Sequence, residues 1–211
     1  MGDRVRKKRI LCFGDSNTWG YIPGSGERYE EDERYPGVLQ KELGVEYRVI
    51  EEGLNGRTTV FSDLIEPQRC GMEHVLPLIL SHVPLDYFIV MLGTNDTKPR
   101  FMVNGTVISY GMEELLVRII DILRNTEQKT KIVLAAPVPL GEIDDSMFDL
   151  ESVIKSRELA KHYGELARKY GCTFFDAGEV VQSLGSDGIH LDIAGHRKIG
   201  KALAAVIKQL D

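Results

Sequence analysis

Five short apolar runs punctuate the chain, and each is followed by a polar stretch and then by a segment with helical spacing. Residues 10–13 (Ile-Leu-Cys-Phe) read as a buried parallel strand. Residues 46–50 read as a second strand, and 85–92, the most hydrophobic stretch, as a central strand buried on both faces. Residues 131–135 and 173–175 read as the fourth and fifth. Helical patterns fall between them. Residues 36–43 open on Pro36 and stop at Gly44. Residues 72–82 contain Pro77, which predicts a kink or a split. Residues 107–124 place Met112, Leu115, Leu116, Ile119, Ile120 and Leu123 on one face. Residues 151–170 end at Gly171, and a last amphipathic helix, capped by Asp192, runs to Leu210.

Strand and helix alternate to the end, which predicts a doubly wound α/β sandwich on a parallel sheet. Residues 1–211 read as a single domain, with residues 1–8 a basic tail ahead of it. Polar loops follow strands one to four. In a parallel sheet such loops emerge at one edge, where ligand sites form. Two long connections, 21–34 and 141–150, read as surface segments without clear structure.

Composition narrows the function classes. The chain has 211 residues and 43% hydrophobic content, enough for one full-sized core. The formal net charge of −6 gives no global basic field to hold nucleic acid. No apolar run is long enough to span a bilayer. Three cysteines, Cys12, Cys70 and Cys172, form no metal spacing and suit a reducing cytoplasm. No histidine cluster has the spacing of a metal site, and His74, His82, His162 and His196 read as surface or packing residues.

The chemistry gathers in four places. Gly14-Asp15-Ser16 is a tight turn at the end of the first strand, a good seat for a nucleophilic hydroxyl. His190, in a loop before the last helix, is the best base, and Asp187 three residues earlier can orient it. Gly56 and Asn95, after strands two and three, can join the Ser16 N–H in donating to an oxyanion. Each also has a plainer reading. Gly-Asp-Ser is a turn former, Gly56 a turn glycine and Asn95 an Asx turn or helix cap. Asp187 can pair with a surface lysine and His190 can simply start a helix. Asn17, Trp19, Tyr21, Asn55 and Phe101 stand in or near these loops as candidates to line a substrate pocket.

Taken together, the stretches ILCFGDSNTWG, VIEEGLNGRTT, MLGTNDTK and FFDAGEV…DGIH resemble the four blocks of the SGNH (GDSL) hydrolase superfamily, and within it the arylesterase/acyltransferase branch. The blocks run in family order from Ser16 to His190. The resemblance implies a flavodoxin-like three-layer α/β/α sandwich with a five-stranded parallel sheet. It also implies Ser16 as nucleophile, His190 as base and Asp187 as its partner, with Ser16, Gly56 and Asn95 as oxyanion hole. Asn55 departs from the serine of many relatives and leaves fine specificity open. The expected function is hydrolysis of small short-acyl or aryl esters through an acyl-enzyme, with acyl transfer as a side activity. No metal or cofactor is required. A homo-oligomer is expected by resemblance. Two other readings stay open: a deacetylase of acetylated carbohydrates, and a non-catalytic flavodoxin-like ligand-binding domain.

Overall fold

The computed structural model describes residues 6–126, 129–143 and 145–211. Its sheet is built from β1 (Lys8–Gly14), β2 (Tyr47–Gly53), β3 (Tyr87–Met91), β4 (Lys131–Ala136) and β5 (Thr173–Asp176), all parallel, in the order β2-β1-β3-β4-β5. The helices are α1 (Ser16–Trp19), α2 (Tyr35–Leu43), α3 (Gly71–His82), α4 (Gly105–Asn125), α5 (Leu150–Tyr170), α6 (Ala177–Val180) and α7 (Ile193–Leu210). The strand order reverses direction at β1. The carboxyl end of β1 therefore faces the crevice where open parallel sheets bind ligands.

Period-2 alternation divides the strand side chains between two cores. Leu11, Phe13, Phe88, Val90 and Leu134 pack against α3, α4 and α5. Ile10, Cys12, Ile89, Met91 and Val133 face α2 and α7 on the other side. The three-layer α/β/α sandwich expected from the resemblance is the observed fold. A third, smaller cluster joins Leu140, Phe148, Val153 and Ile189 and lies beneath the segment that carries His190.

Several boundaries differ from the pattern-based reading. The basic tail was expected through residue 8, yet Lys8 already belongs to β1 and pairs with Tyr47. Arg6 makes a two-pronged pair with Asp86, at 2.7 and 2.9 Å. Residues 1–5 of that stretch lie outside the described residues. β2 runs on to Gly53 because Glu51 and Glu52 keep register with Cys12 and Phe13. Arg34 pairs with Glu51 at 2.8 Å, and the His82 ring lies 2.7 Å from Glu52. Pro77 neither splits nor ends α3, which continues through it to His82.

α4 starts two residues before the expected boundary, at Gly105, where the Asn104 side chain accepts from Val107 N–H. The acidic connection 141–150 is partly ordered by packing. Phe148 is buried in the third cluster, and Asp149 forms a capping box with Ser152 at the start of α5. Residue 144 of that connection lies outside the described residues.

Candidate active site

The turn after β1 is fixed from within. The Asp15 side chain accepts from Asn17 N–H at 2.9 Å, and its carbonyl accepts from Trp19 N–H at 2.9 Å. Gly20, in the left-handed region at φ 90°, closes α1 by donating to Ser16 O at 2.8 Å. Burial pushes the Asp15 carboxyl up from its usual value, against the pull of the Asn17 N–H and the nearby His190 and Arg57. Ser16 is thus the first residue of a one-turn helix, and it is mostly buried.

The segment after α6 forms an equally closed unit. Gly185 N–H donates to His190 O at 2.7 Å, and Gly188 N–H to Gly185 O at 3.0 Å. One Asp187 oxygen accepts from the Ile189 and His190 N–H groups, both at 2.9 Å. The other lies 2.7 Å from His190 Nδ1. His190 Nε2 in turn lies 3.0 Å from Ser16 Oγ. A hydroxyl, an imidazole and a carboxylate therefore stand in a hydrogen-bonded row, the arrangement that activates a serine. Burial alone would raise the Asp187 carboxyl. The bond from the His190 ring and the two backbone N–H groups outweigh it and hold the group at about 2.

Two further loops complete the crevice. Beyond β2, Leu54 N–H donates to Gly14 O and Arg57 N–H to Leu54 O, with Gly56 at φ 77° in the turn between them. Among the described residues the N–H groups of Ser16 and Gly56 have no protein acceptor. The Asn95 amide donates to Arg57 O at 3.1 Å. An amide nitrogen carries two hydrogens, so one remains for another acceptor. The Gly56 turn and Asn95 are thereby held side by side.

Several supports of these loops are not visible in the sequence pattern. The buried Arg57 guanidinium donates to Gly14 O at 2.8 Å and to Glu52 O, and lies 4.3 Å from the Phe13 ring centre. Burial lowers it to about 10. Asp96 accepts from Thr59 N–H at 2.9 Å and from its hydroxyl, which joins the second loop to the third. The almost fully buried Lys98 reaches Glu66 at 2.7 Å, and Arg100 meets Asp63 and Glu66. No spacing rule marks these charges, because their partners lie over 30 residues away.

The five candidate pocket residues are placed differently from one another. Tyr21 stacks on the His190 ring, with centroids 4.2 Å apart and planes 29° apart. Trp19 stands half-exposed between Tyr21 and the Arg28 guanidinium. Asn55 precedes the Gly56 turn, and its side-chain oxygen is shielded without a partner among the described residues. Phe101 packs against Phe61 on the Asn95 side. Asn17 was expected to line the pocket. Its side chain is instead occupied within the protein, donating to Ile189 O and accepting from Leu191 N–H.

Among the described residues no group of three or more His, Cys, Asp or Glu side chains could hold a metal ion. No described helix is long and apolar enough to cross a membrane. A polar groove of about 600 Å³, lined by Gly141, Glu142 and residues 182–186, runs along the flank of the Asp187 turn.

Known proteins are similar to this chain along nearly its whole length. The aryl esterase of M. smegmatis is 39% identical, over 97% of this chain and 100% of that one, with a TM-score of 0.90. Est24, a carbohydrate acetylesterase from Sinorhizobium meliloti, is 36% identical over 97% of this chain and 100% of its own, with a TM-score of 0.93. An acetylxylan esterase from Xylanibacter ruminicola is 27% identical over 95% of this chain, and the chain spans 43% of that protein's length. The model of the GDSL-like lipase/acylhydrolase family matches residues 12–198. The chain belongs to the GDSL-like lipase/acylhydrolase family.

Proposed function

We propose that the protein is a serine esterase that hydrolyses small, short-acyl or aryl carboxylic esters through an acyl-enzyme intermediate. The observation that carries this reading is the row of contacts from Ser16 Oγ to His190 to Asp187. Ser16 Oγ attacks the ester carbonyl carbon while His190 Nε2 takes its proton. Asp187 holds the imidazole in the required tautomer and stabilises the imidazolium that forms. The Ser16 and Gly56 N–H groups and the Asn95 amide receive the oxyanion, and each such donor is worth about 2.7–4 kcal/mol in the transition state. His190 then passes its proton to the leaving alcohol, which leaves an acyl ester on Ser16. In the second half a water attacks that ester, His190 takes the water's proton, and the acid departs as Ser16 recovers its hydrogen. An alcohol in place of water gives acyl transfer as a side activity.

The scheme draws on no cofactor, metal, nucleic acid or membrane. Trp19, Tyr21, Asn55 and Phe101 are the candidates to line the pocket on which acyl and alcohol groups would rest. The chain acts as one catalytic unit. Three free thiols suit a reducing cytoplasm, and self-association is expected from the resemblance to oligomeric esterases.

The test is turnover of p-nitrophenyl esters from acetate to octanoate by the wild type and Ser16→Ala in parallel. Activity that falls with chain length and is lost in the variant supports the reading. Absence of turnover by the folded wild type on every ester overturns it. A second reading, deacetylation of carbohydrates, is favoured by the polar groove beside Asp187 and by the likeness to Est24. Faster release of acetate from acetylated xylan than from aryl acetates would establish it. A ligand-binding domain without catalysis would turn over neither substrate.

A further inference from the structure

Ser16 and His190 belong to two separately closed units. The nucleophile turn is locked by its own bonds to Asp15, Ser16 and Gly20. The base unit, residues 185–190, is locked by the Asp187 carboxylate and the Gly185 and Gly188 N–H groups. Neither set of bonds fixes one unit relative to the other.

The Asn17 side chain supplies that link. Its Nδ2 donates to Ile189 O at 3.3 Å, and its Oδ1 accepts from Leu191 N–H at 2.9 Å. The two partners flank His190 on either side. One amide therefore grips the backbone before and after the base, in the manner of a strand pairing. It does so from the residue next to the nucleophile, inside the same helical turn. Asn17 is 7% exposed and both its polar atoms are engaged, so it offers little to a substrate.

We propose that Asn17 is a positioning residue that sets the His190 imidazole on the Ser16 hydroxyl. The proposal rests on the serine esterase reading for its rate effects, but the geometry it invokes is that of the Ser16–His190 pair alone. Loss of the grip frees the base unit to shift relative to α1. A shift of about 1 Å in a reacting pair is enough to cost about 100-fold in rate.

A cycle of substitutions tests this on the full chain with p-nitrophenyl acetate. Asn17→Ala is expected to lower kcat about 10- to 100-fold with KM within about twofold of wild type. In a His190→Ala background the same change is expected to alter the residual rate by less than about threefold, because no base remains to be placed. Equal losses in both backgrounds would mark a general structural or substrate role and overturn the proposal. A wild-type kcat in Asn17→Ala would also overturn it. Should near-UV circular dichroism find Asn17→Ala unfolded, Asn17→Asp carries the same cycle, since it keeps an acceptor for Leu191 N–H while it loses the donor and sets a carboxylate against Ile189 O. If the wild type turns over no ester, the esterase reading fails. Asn17 is then judged on the rate at which a p-nitrophenyl phosphonate labels Ser16, a step that needs the base but no carboxylic ester. A drop of about 10-fold or more upon Asn17→Ala supports the proposal, and an unchanged rate, or no labelling of the wild type, overturns it.

Discussion

Tyr21 covers one face of the His190 imidazole, its ring centroid 4.2 Å away and nearly parallel. The contact is delivered by a short hairpin in which Tyr21 and Arg28 bridge in antiparallel fashion, with Ile22 N–H bonded to Glu27 O at 3.0 Å. An aromatic face carries negative charge in its π-system and favours a stacked cation. In the proposed mechanism this imidazole is the ring that gains charge during serine attack. Tyr21→Phe is expected to keep kcat/KM within about twofold. Tyr21→Leu is expected to lower it about 2- to 30-fold, the rate equivalent of ~0.5–2 kcal/mol. Steady-state rates on acetate and butyrate esters check this. An equal loss on both marks an effect on His190, whereas a loss that grows with acyl size marks a pocket wall.

Asn95 joins the third loop to the second through Arg57 O. Its second amide hydrogen is the one assigned to the oxyanion. Asn95→Ala is therefore expected to lower kcat about 100- to 1,000-fold, the usual cost of one such donor. Stability should fall by only about 1 kcal/mol for the lost bond to Arg57. Parallel kinetics and urea melts separate the two effects. A large stability loss with a small rate loss would assign Asn95 to the scaffold.

Two buried groups tilt stability with pH in opposite directions. His196 is fully buried, its Nδ1 accepts from Tyr35 N–H, and burial lowers it from 6.5 to about 4. Its stability contribution is complete above the unfolded value of 6.5 and is lost as pH falls toward 4, by about 3 kcal/mol. Asp96 is raised from 3.8 to about 6 by burial, which the Thr59 bonds only partly offset. Its effect has the other sign: stability falls as pH rises from 3.8 to about 6, also by about 3 kcal/mol. Between pH 4 and 6 the two should nearly cancel in the wild type. His196→Asn, which keeps an acceptor for Tyr35, is expected to leave a protein that weakens as pH rises through this window. Asp96→Asn, which keeps an acceptor for Thr59, is expected to leave one that strengthens. Urea midpoints at about pH 4.5 and 6.5 check both slopes, and parallel slopes in all three proteins would contradict them.

Gly53 ends β2 directly against the nucleophile turn. A Cβ there would stand 2.1 Å from Trp19 N and 2.6 Å from Thr18 C, both backbone atoms. Gly53→Ala must therefore move α1. It is expected to cost about 1–3 kcal/mol of stability. Because Ser16 moves with the turn, kcat should fall as well, with little change in KM. Gly164→Ala serves as the control. Its Cβ would meet only ordinary contacts with Phe174, from 3.5 Å, in the middle of α5.

The sheet, its helices and the Ser16, Asp187 and His190 positions were legible because each is marked locally. An apolar run ends at Gly14, a glycine stops α5, and Asp187 lies within one loop of His190. Gly56 and Asn95 stand out in the sequence for the same reason, as polar punctuation after strands. The bonds of Asn17 to Ile189 and Leu191 were not legible, since these partners are more than 170 residues away. The burial of Lys98 under Glu66 is likewise a tertiary fact that its charge argues against. Pro77 does not split α3, although proline has the lowest helix propensity of all residues. There tertiary packing of Val75 and Ile79 on the sheet holds the helix through it.

The most direct measurement is covalent capture of the nucleophile. The wild-type protein is treated with a p-nitrophenyl phosphonate, and the released p-nitrophenolate and the peptide masses are followed together. Stoichiometric release, with the phosphonyl group on the peptide that contains Ser16 and none on Ser16→Ala, is the expected result. Labelling of another residue, or persistence of the adduct in Ser16→Ala, would contradict the assignment of Ser16 as the residue that forms the acyl-enzyme.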